Sequence, residues 1–255
     1  EVIINKTQRG YCMLKNVLRK LFTNIKLFVP FIVISLIYQI IIVKLDILDF
    51  QEGMFIDDVT NSINFALMWK QIFISIIFSL IMVLFLCYVW VLIGKIVKGY
   101  EVNHLDTFKD SLNYYPRFIG IDFIFVGIFI AILVSMYIKK ASPVIGIISL
   151  IVGLAFFIYI ETVLCSTSKG YMIYTDGRIG ESMSNGYEIG KKNFWMLLLL
   201  GIPEVIIDKI LAINCIKTNI LAFILVSIAY VLIKLFVAMY TITLCKNYFD
   251  ENVIS

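Results

Sequence analysis

Glu204, Asp208 and Lys209 lie inside one long apolar run, and Lys234 lies inside the next. A charge at the centre of a membrane helix costs about 2.5–3.5 kcal/mol, while an apolar residue returns only ~0.3–0.6. Ionisable side chains in hydrocarbon are therefore functional candidates by default. Asp208 and Lys209 are near enough to the end of their run to snorkel to an interface. Glu204 stays near mid-depth, and Lys234 falls at nearly the same depth in its own run. A Glu204–Lys234 pair would relieve both charges. Such a pair either holds two helices together as a hairpin or lines a polar cavity. Pro203, next to Glu204, lacks a backbone donor, which predicts a kink or a local opening there. Asp122 and Glu161 sit near the ends of two further runs, where a carboxylate reaches water or Arg117.

The acid and base chemistry open to these groups is narrow. His104 is the only histidine, which excludes HExxH zinc sites and histidine-based triads. There is no GxSxG, no Walker A lysine loop and no phosphate-cradling glycine cluster. An intramembrane enzyme would need Glu204, Asp122 or Glu161 as its acid or base. Asp57-Asp58 has no EF-hand spacing and reads as a solvated loop rather than a calcium site. The five cysteines (12, 87, 165, 215 and 245) show no CxxC spacing and read as packing residues. No cofactor and no metal are expected, and the chain is read as non-enzymatic.

The elements that carry these residues follow from composition. With 61% hydrophobic residues and a mean hydropathy of +0.95, the 255-residue chain is too apolar for a soluble domain. A bilayer core about 30 Å thick takes roughly 20 apolar residues in helix. Six runs meet that need: Leu27–Val43, Ile72–Ile93, Phe118–Ile138, Pro143–Cys165, Phe194–Ile213 and Asn219–Cys245. They predict an all-α polytopic membrane protein, one integral membrane domain over 1–255, arranged as three hairpins. The polar and amphipathic lead before Leu27 does not have the form of a cleavable signal. Gly127, Ala131 and Ser135 form a row at spacing four, and Ser142–Gly146 and Ser149–Gly153 do likewise. These rows predict close packing of the third and fourth runs.

Orientation follows the Lys/Arg bias of short loops. One side receives Lys6, Arg9, Lys15, Arg19, Lys20, Lys26, Lys95, Lys98, Lys109, Arg117, Lys169, Arg178, Lys191, Lys192 and Lys246, which is 15. The other receives Lys44, Lys70, Lys139, Lys140, Lys209 and Lys217, which is six, together with the acids of the Asp46–Asp58 loop. Both termini are expected in the cytoplasm. The richness in Ile, Lys and Asn points to an AT-rich bacterial genome, hence a bacterial plasma membrane. The basic residues follow one membrane face rather than forming a patch, so nucleic-acid binding is not expected.

An amphipathic segment leads into each hairpin. Tyr11, Leu14, Leu18, Leu21 and Ile25 form the first apolar face, Leu105, Phe108, Leu112 and Tyr115 the second, and Ile179, Met183 and Tyr187 the third. Basic-rimmed helices of this kind lie in the interface. The repeat units are approximately 10–98, 103–165 and 178–246, related by an axis along the membrane normal.

The third lead-in, Gly180-Glu-Ser-Met-Ser-Asn-Gly-Tyr-Glu-Ile-Gly-Lys-Lys-Asn-Phe-Trp-Met-Leu-Leu-Leu199, resembles a recurring element of a bacterial family. In that family, an amphipathic helix leads through Lys-Asn-Phe/Trp into a span. The family is the membrane domain of some glycerophosphoryl diester phosphodiesterases, with stand-alone relatives of unknown function. Asp106–Gly120 and Tyr11–Pro30 are similar more loosely. The resemblance implies this layout. It implies no hydrolase activity, because the phosphodiesterase site belongs to a soluble domain that this sequence does not contain, and no family site residue carries over. The expected function is a transport or assembly component handling a lipid or other amphiphile, with membrane lipids and other membrane subunits as partners. The alternative is the permease subunit of an ABC-type exporter, with an ATP-binding subunit meeting the Leu105–Pro116 helix.

Overall fold

The computed structural model describes residues 2–45, 65–138, 151–153, 155–156, 158–211 and 219–254, and these are helical throughout apart from short turns. In chain order the helices are α1 (Val2–Thr23), α2 (Ile25–Leu45), α3 (Phe65–Lys98), α4 (His104–Ile138), α5 (Ile151–Thr175), α6 (Ile179–Lys192), α7 (Phe194–Leu211) and α8 (Ile220–Ile254). The Asp46–Asp58 acids, Lys139, Lys140, Cys215, Lys217 and the small-residue rows of the third and fourth runs lie outside the described side chains.

Three stretches are long and apolar enough to cross a membrane: Ile76–Lys98, Ile151–Thr175 and Ile220–Glu251. Cys12–Thr23 and Ile25–Ile41, bent by 77° at their junction, make a fourth if taken together. α7 carries Glu204, Asp208 and Lys209 in 18 residues, which weakens it as an autonomous span.

The helix boundaries have identifiable causes. Asn103 starts α4, where its side chain accepts from the Leu105 amide at 3.0 Å, and Asn219 does the same for Ala222 at the head of α8, at 3.2 Å. The α1–α2 and α6–α7 corners are built alike. Asn24 donates its side-chain amide to the Lys20 carbonyl at 2.8 Å, and Asn193 donates to Ile189 at 2.9 Å. Each asparagine closes the outgoing helix, and its own carbonyl then accepts from the next helix, at Leu27 and at Met196. Four residues on, Phe28 and Leu197 are both buried. The Lys-Asn of the sequence motif is thus a helix corner. In α4 no such corner occurs, and lead-in and apolar run form one continuous helix through Pro116.

α8 is the central element and packs against α1, α2, α3, α5, α6 and α7. The core concentrates at the end bearing the lead-in helices. Val17 and Leu21 of α1, Leu92 and Ile93 of α3, Phe118 of α4, Met172 of α5, Ile189 of α6 and Leu235, Met239 and Ile242 of α8 are all buried there.

The lead-in helices present three faces rather than two. On α4, Thr107 and Ser111 face the protein, while Leu105, Phe108 and Leu112 face outward. On α6, Ser182, Gly186, Ile189 and Gly190 face the protein, and Tyr187 faces outward. On α1, Leu18 and Phe22 face outward. Small residues let backbones approach closely, and α6 does so against α5. A side-chain carbon on Gly186 would stand 2.6 Å from the Ser168 backbone nitrogen, and one on Gly190 would overlap the Val163 carbonyl. The Thr167 hydroxyl donates to the Gly186 carbonyl at 2.7 Å, across the same contact.

Candidate functional site

The charged residues of the long helices converge. α4 contributes Asp122, α5 contributes Glu161 and Lys169, α7 contributes Glu204, and α8 contributes Lys234. All five line a cavity of about 250 Å³, walled on its apolar side by Phe31, Trp90 and Phe118. Lys169 donates to Asp122 at 2.5 Å, with its ammonium 5.2 Å from the Phe118 ring centroid. Lys234 stands 3.4 Å from Glu204 and 4.5 Å from the Tyr230 ring centroid. Glu161 has no cation within ion-pair distance among the described residues. It opens the one π-helical turn described, Glu161–Cys165, and Glu161 and Cys165 both line the cavity.

Two further cavities adjoin this one. A space of about 560 Å³ between α5, α7 and α8 shares Glu161, Ser166 and Glu204 with it and adds Asp208 and Lys209. Its rim is apolar, with Ile158, Ile202, Val205 and Ile206 exposed on the outer surface. A third, of about 330 Å³, runs along α2, α3 and α8 past Ser35, Tyr38 and Gln39 and shares Lys234.

The structure therefore gathers Asp122, Glu161, Glu204, Asp208 and Lys234 around three neighbouring cavities that share lining residues. Pro203 is exposed, and α7 continues through it as helix rather than opening. A proline removes one backbone hydrogen bond, and the helix on either side keeps its remaining bonds. Arg117 does not serve Asp122. It pairs instead with Asp176 at 2.8 Å and pins the α5–α6 turn to α4. The fourth apolar run ends at Cys165, which on sequence alone places Lys169 among the loop charges. The helix continues to Thr175, and this continuation lifts Lys169 onto the cavity face. Glu161, Cys165 and Lys169 recur at spacing four, a helical signal present in the sequence beyond the end of the apolar run.

At the lead-in end lies a separate cavity of about 580 Å³ lined by Lys95, Lys98, Asp110, Tyr114, Arg117 and Asp176 among others. Lys95 pairs with Asp110 at 2.6 Å, and Lys98 donates to the Ile173 carbonyl at 3.1 Å. Burial, followed by the neighbouring Asp176 carboxylate, pushes the Tyr114 phenol up to about 12.

Cys87, Cys165 and Cys245 are buried as free thiols, while Cys12 is exposed. Among the described residues no group of three or more His, Cys, Asp or Glu side chains could hold a metal ion.

Several bilayer-length apolar helices packed around a charged cavity are the marks of a multi-pass helical membrane protein. No protein-family model, no curated protein and no solved structure matches this chain.

Proposed function

We propose that this chain is a non-enzymatic component of a bacterial plasma membrane, acting in the transport or assembly of a lipid or other amphiphile. One observation carries the reading. The cavity between α5, α7 and α8 has a charged floor at Glu161, Glu204 and Asp208 and an apolar rim on the outer surface. An amphiphile fits such a site with its head on the floor and its chain against Ile202, Val205 and Ile206. In this reading the bundle has six spans with both termini inside, α4 beyond Phe118 and α7 completing the set. The Asn24 and Asn193 corners support the repeat. Kinship with the phosphodiesterase membrane domains rests on the Lys191-Lys192-Asn193-Phe194 corner and its α6 lead-in.

The direct test is extraction of bound lipid from the purified protein, compared with Val205→Trp, which fills the rim. The reading expects a co-purifying amphiphile that the substitution displaces. Identical lipid content in both proteins would reject it.

A second reading, the permease subunit of an ABC-type exporter, is favoured by the outward Leu105–Phe108–Leu112 face at the lead-in end. Co-purification of an ATPase that is lost in Phe108→Glu would select it.

A further inference from the structure

We infer that the amphiphile accepted by the α5–α7–α8 cavity carries one positive charge on its head group, as an ammonium does. The inference rests on the amphiphile reading and adds the chemistry of the head. The neighbouring cavities are lined by Asp122, Glu161, Glu204 and Asp208, against Lys169, Lys209 and Lys234. With every group ionised that is four negative charges against three positive, a net of one negative among the described residues. The pairing says where the excess lies. Lys169 is committed to Asp122 and Lys234 to Glu204. Asp208 and Lys209, adjacent near the end of α7, carry opposite charges that offset each other in the same cavity, and both are exposed, as Glu161 is. Glu161 remains.

Its position is what a ligand contact requires. Glu161 lines both the inner cavity and the wider one with the apolar rim, so it stands where a head group entering sideways would come to rest. It also begins the π-helical turn, and such insertions in α-helices are frequent at functional sites. An unpaired carboxylate on a helix of membrane-spanning length is costly, and a bound cation restores neutrality. An anionic head would meet the opposite balance. The Lys169 and Lys234 ammonium groups are already engaged by carboxylates, the Lys209 charge is offset by its neighbour Asp208, and the extra negative charge would face Glu161. Tyr230, also on α8, lines the same cavity, and its ring already holds the Lys234 ammonium 4.5 Å from its centroid, the kind of contact that a quaternary ammonium makes.

The test uses the full chain in nanodiscs of neutral phosphatidylcholine. The probes are a photoreactive long-chain trimethylammonium and the alcohol and carboxylic acid of the same chain length. Labelled peptides are then mapped. The ammonium should label α5 and α7 in preference to the alcohol by about tenfold, a factor equivalent to ~1.4 kcal/mol, and the acid should label least. Glu161→Gln should reduce ammonium labelling to the level of the alcohol, while Glu161→Asp should retain the preference. Equal labelling by all three probes, or an undiminished ammonium preference in Glu161→Gln, would overturn the charge assignment and leave the amphiphile reading standing. Absence of labelling by every probe would remove both. If Glu161→Gln does not fold, the ranking of probes on the unmodified protein still decides.

Discussion

Glu204 and Lys234 come from different helices and meet at 3.4 Å, each about a third exposed along its side chain. That geometry makes the pair asymmetric under mutation. Glu204→Gln leaves the Lys234 ammonium without its carboxylate partner and should cost roughly 1–3 kcal/mol, less than for a fully buried pair because of its partial exposure. Glu204→Gln with Lys234→Met should recover much of that loss. A double-mutant cycle in detergent, read by thermal unfolding, measures the coupling, and strict additivity would mean that the two charges do not depend on each other. Tyr114, outside the apolar runs, gives a pH prediction. Its phenol is pushed from the ordinary 10.0 up to about 12 in the folded chain. Below the ordinary value both states keep the proton. Above it the unfolded chain releases the proton while the folded chain must hold it, so stability falls as pH rises through this window. The melting temperature of the unmodified protein should therefore drop more steeply between about pH 9.5 and 11.5 than that of Tyr114→Phe. Parallel curves would contradict it.

At the level of elements, α6 and α5 approach so closely that a side-chain carbon at Gly186 or Gly190 would meet the α5 backbone. Gly186 and Gly190 of α6 lie on the Val163–Ser168 stretch of α5, and that stretch begins beside Glu161. The close contact falls on the π-helical turn, whose Glu161 and Cys165 line the cavity. Gly190→Ala must push two helix backbones apart and should cost on the order of 3 kcal/mol, at the upper end of ordinary overpacking. Gly180→Ala, on the same helix with open space around it, should change stability by no more than about 0.5 kcal/mol. Thermal unfolding of the two variants in parallel checks the contrast. Equal effects would mean that the helix contact is looser than its geometry.

Across the whole molecule, the lead-in helices gather at one end. Asn247 of α8 reaches Met13 of α1, and the Tyr248 hydroxyl donates to Glu188 of α6 at 2.7 Å. This is also the end that holds most of the basic residues, including Lys15, Arg19, Lys191 and Lys192. Retention of basic residues in the cytoplasm would fix the orientation. Cys12 is exposed at this end. It should react with a membrane-impermeant maleimide only after cells are permeabilised, whereas Cys215 should react in intact cells. The reverse pattern would invert the topology.

Amino-acid order alone determined the helical class and the positions of most helices, because apolar runs of bilayer length and steps of three and four are local properties of the chain. It also matched the depths of Glu204 and Lys234, since depth along a helix is counted in residues. The partner of Asp122 was a matter for the tertiary structure. Arg117 is close in sequence, but Lys169 reaches the carboxylate because α5 continues past its apolar run and packs beside α4. The protein-facing sides of α4 and α6 were hidden for a related reason. Thr107, Ser111, Ser182, Gly186 and Gly190 read as polar or neutral in a hydropathy pattern. Their value lies in how little space they occupy, and that becomes physical only when a second helix backbone is laid against them.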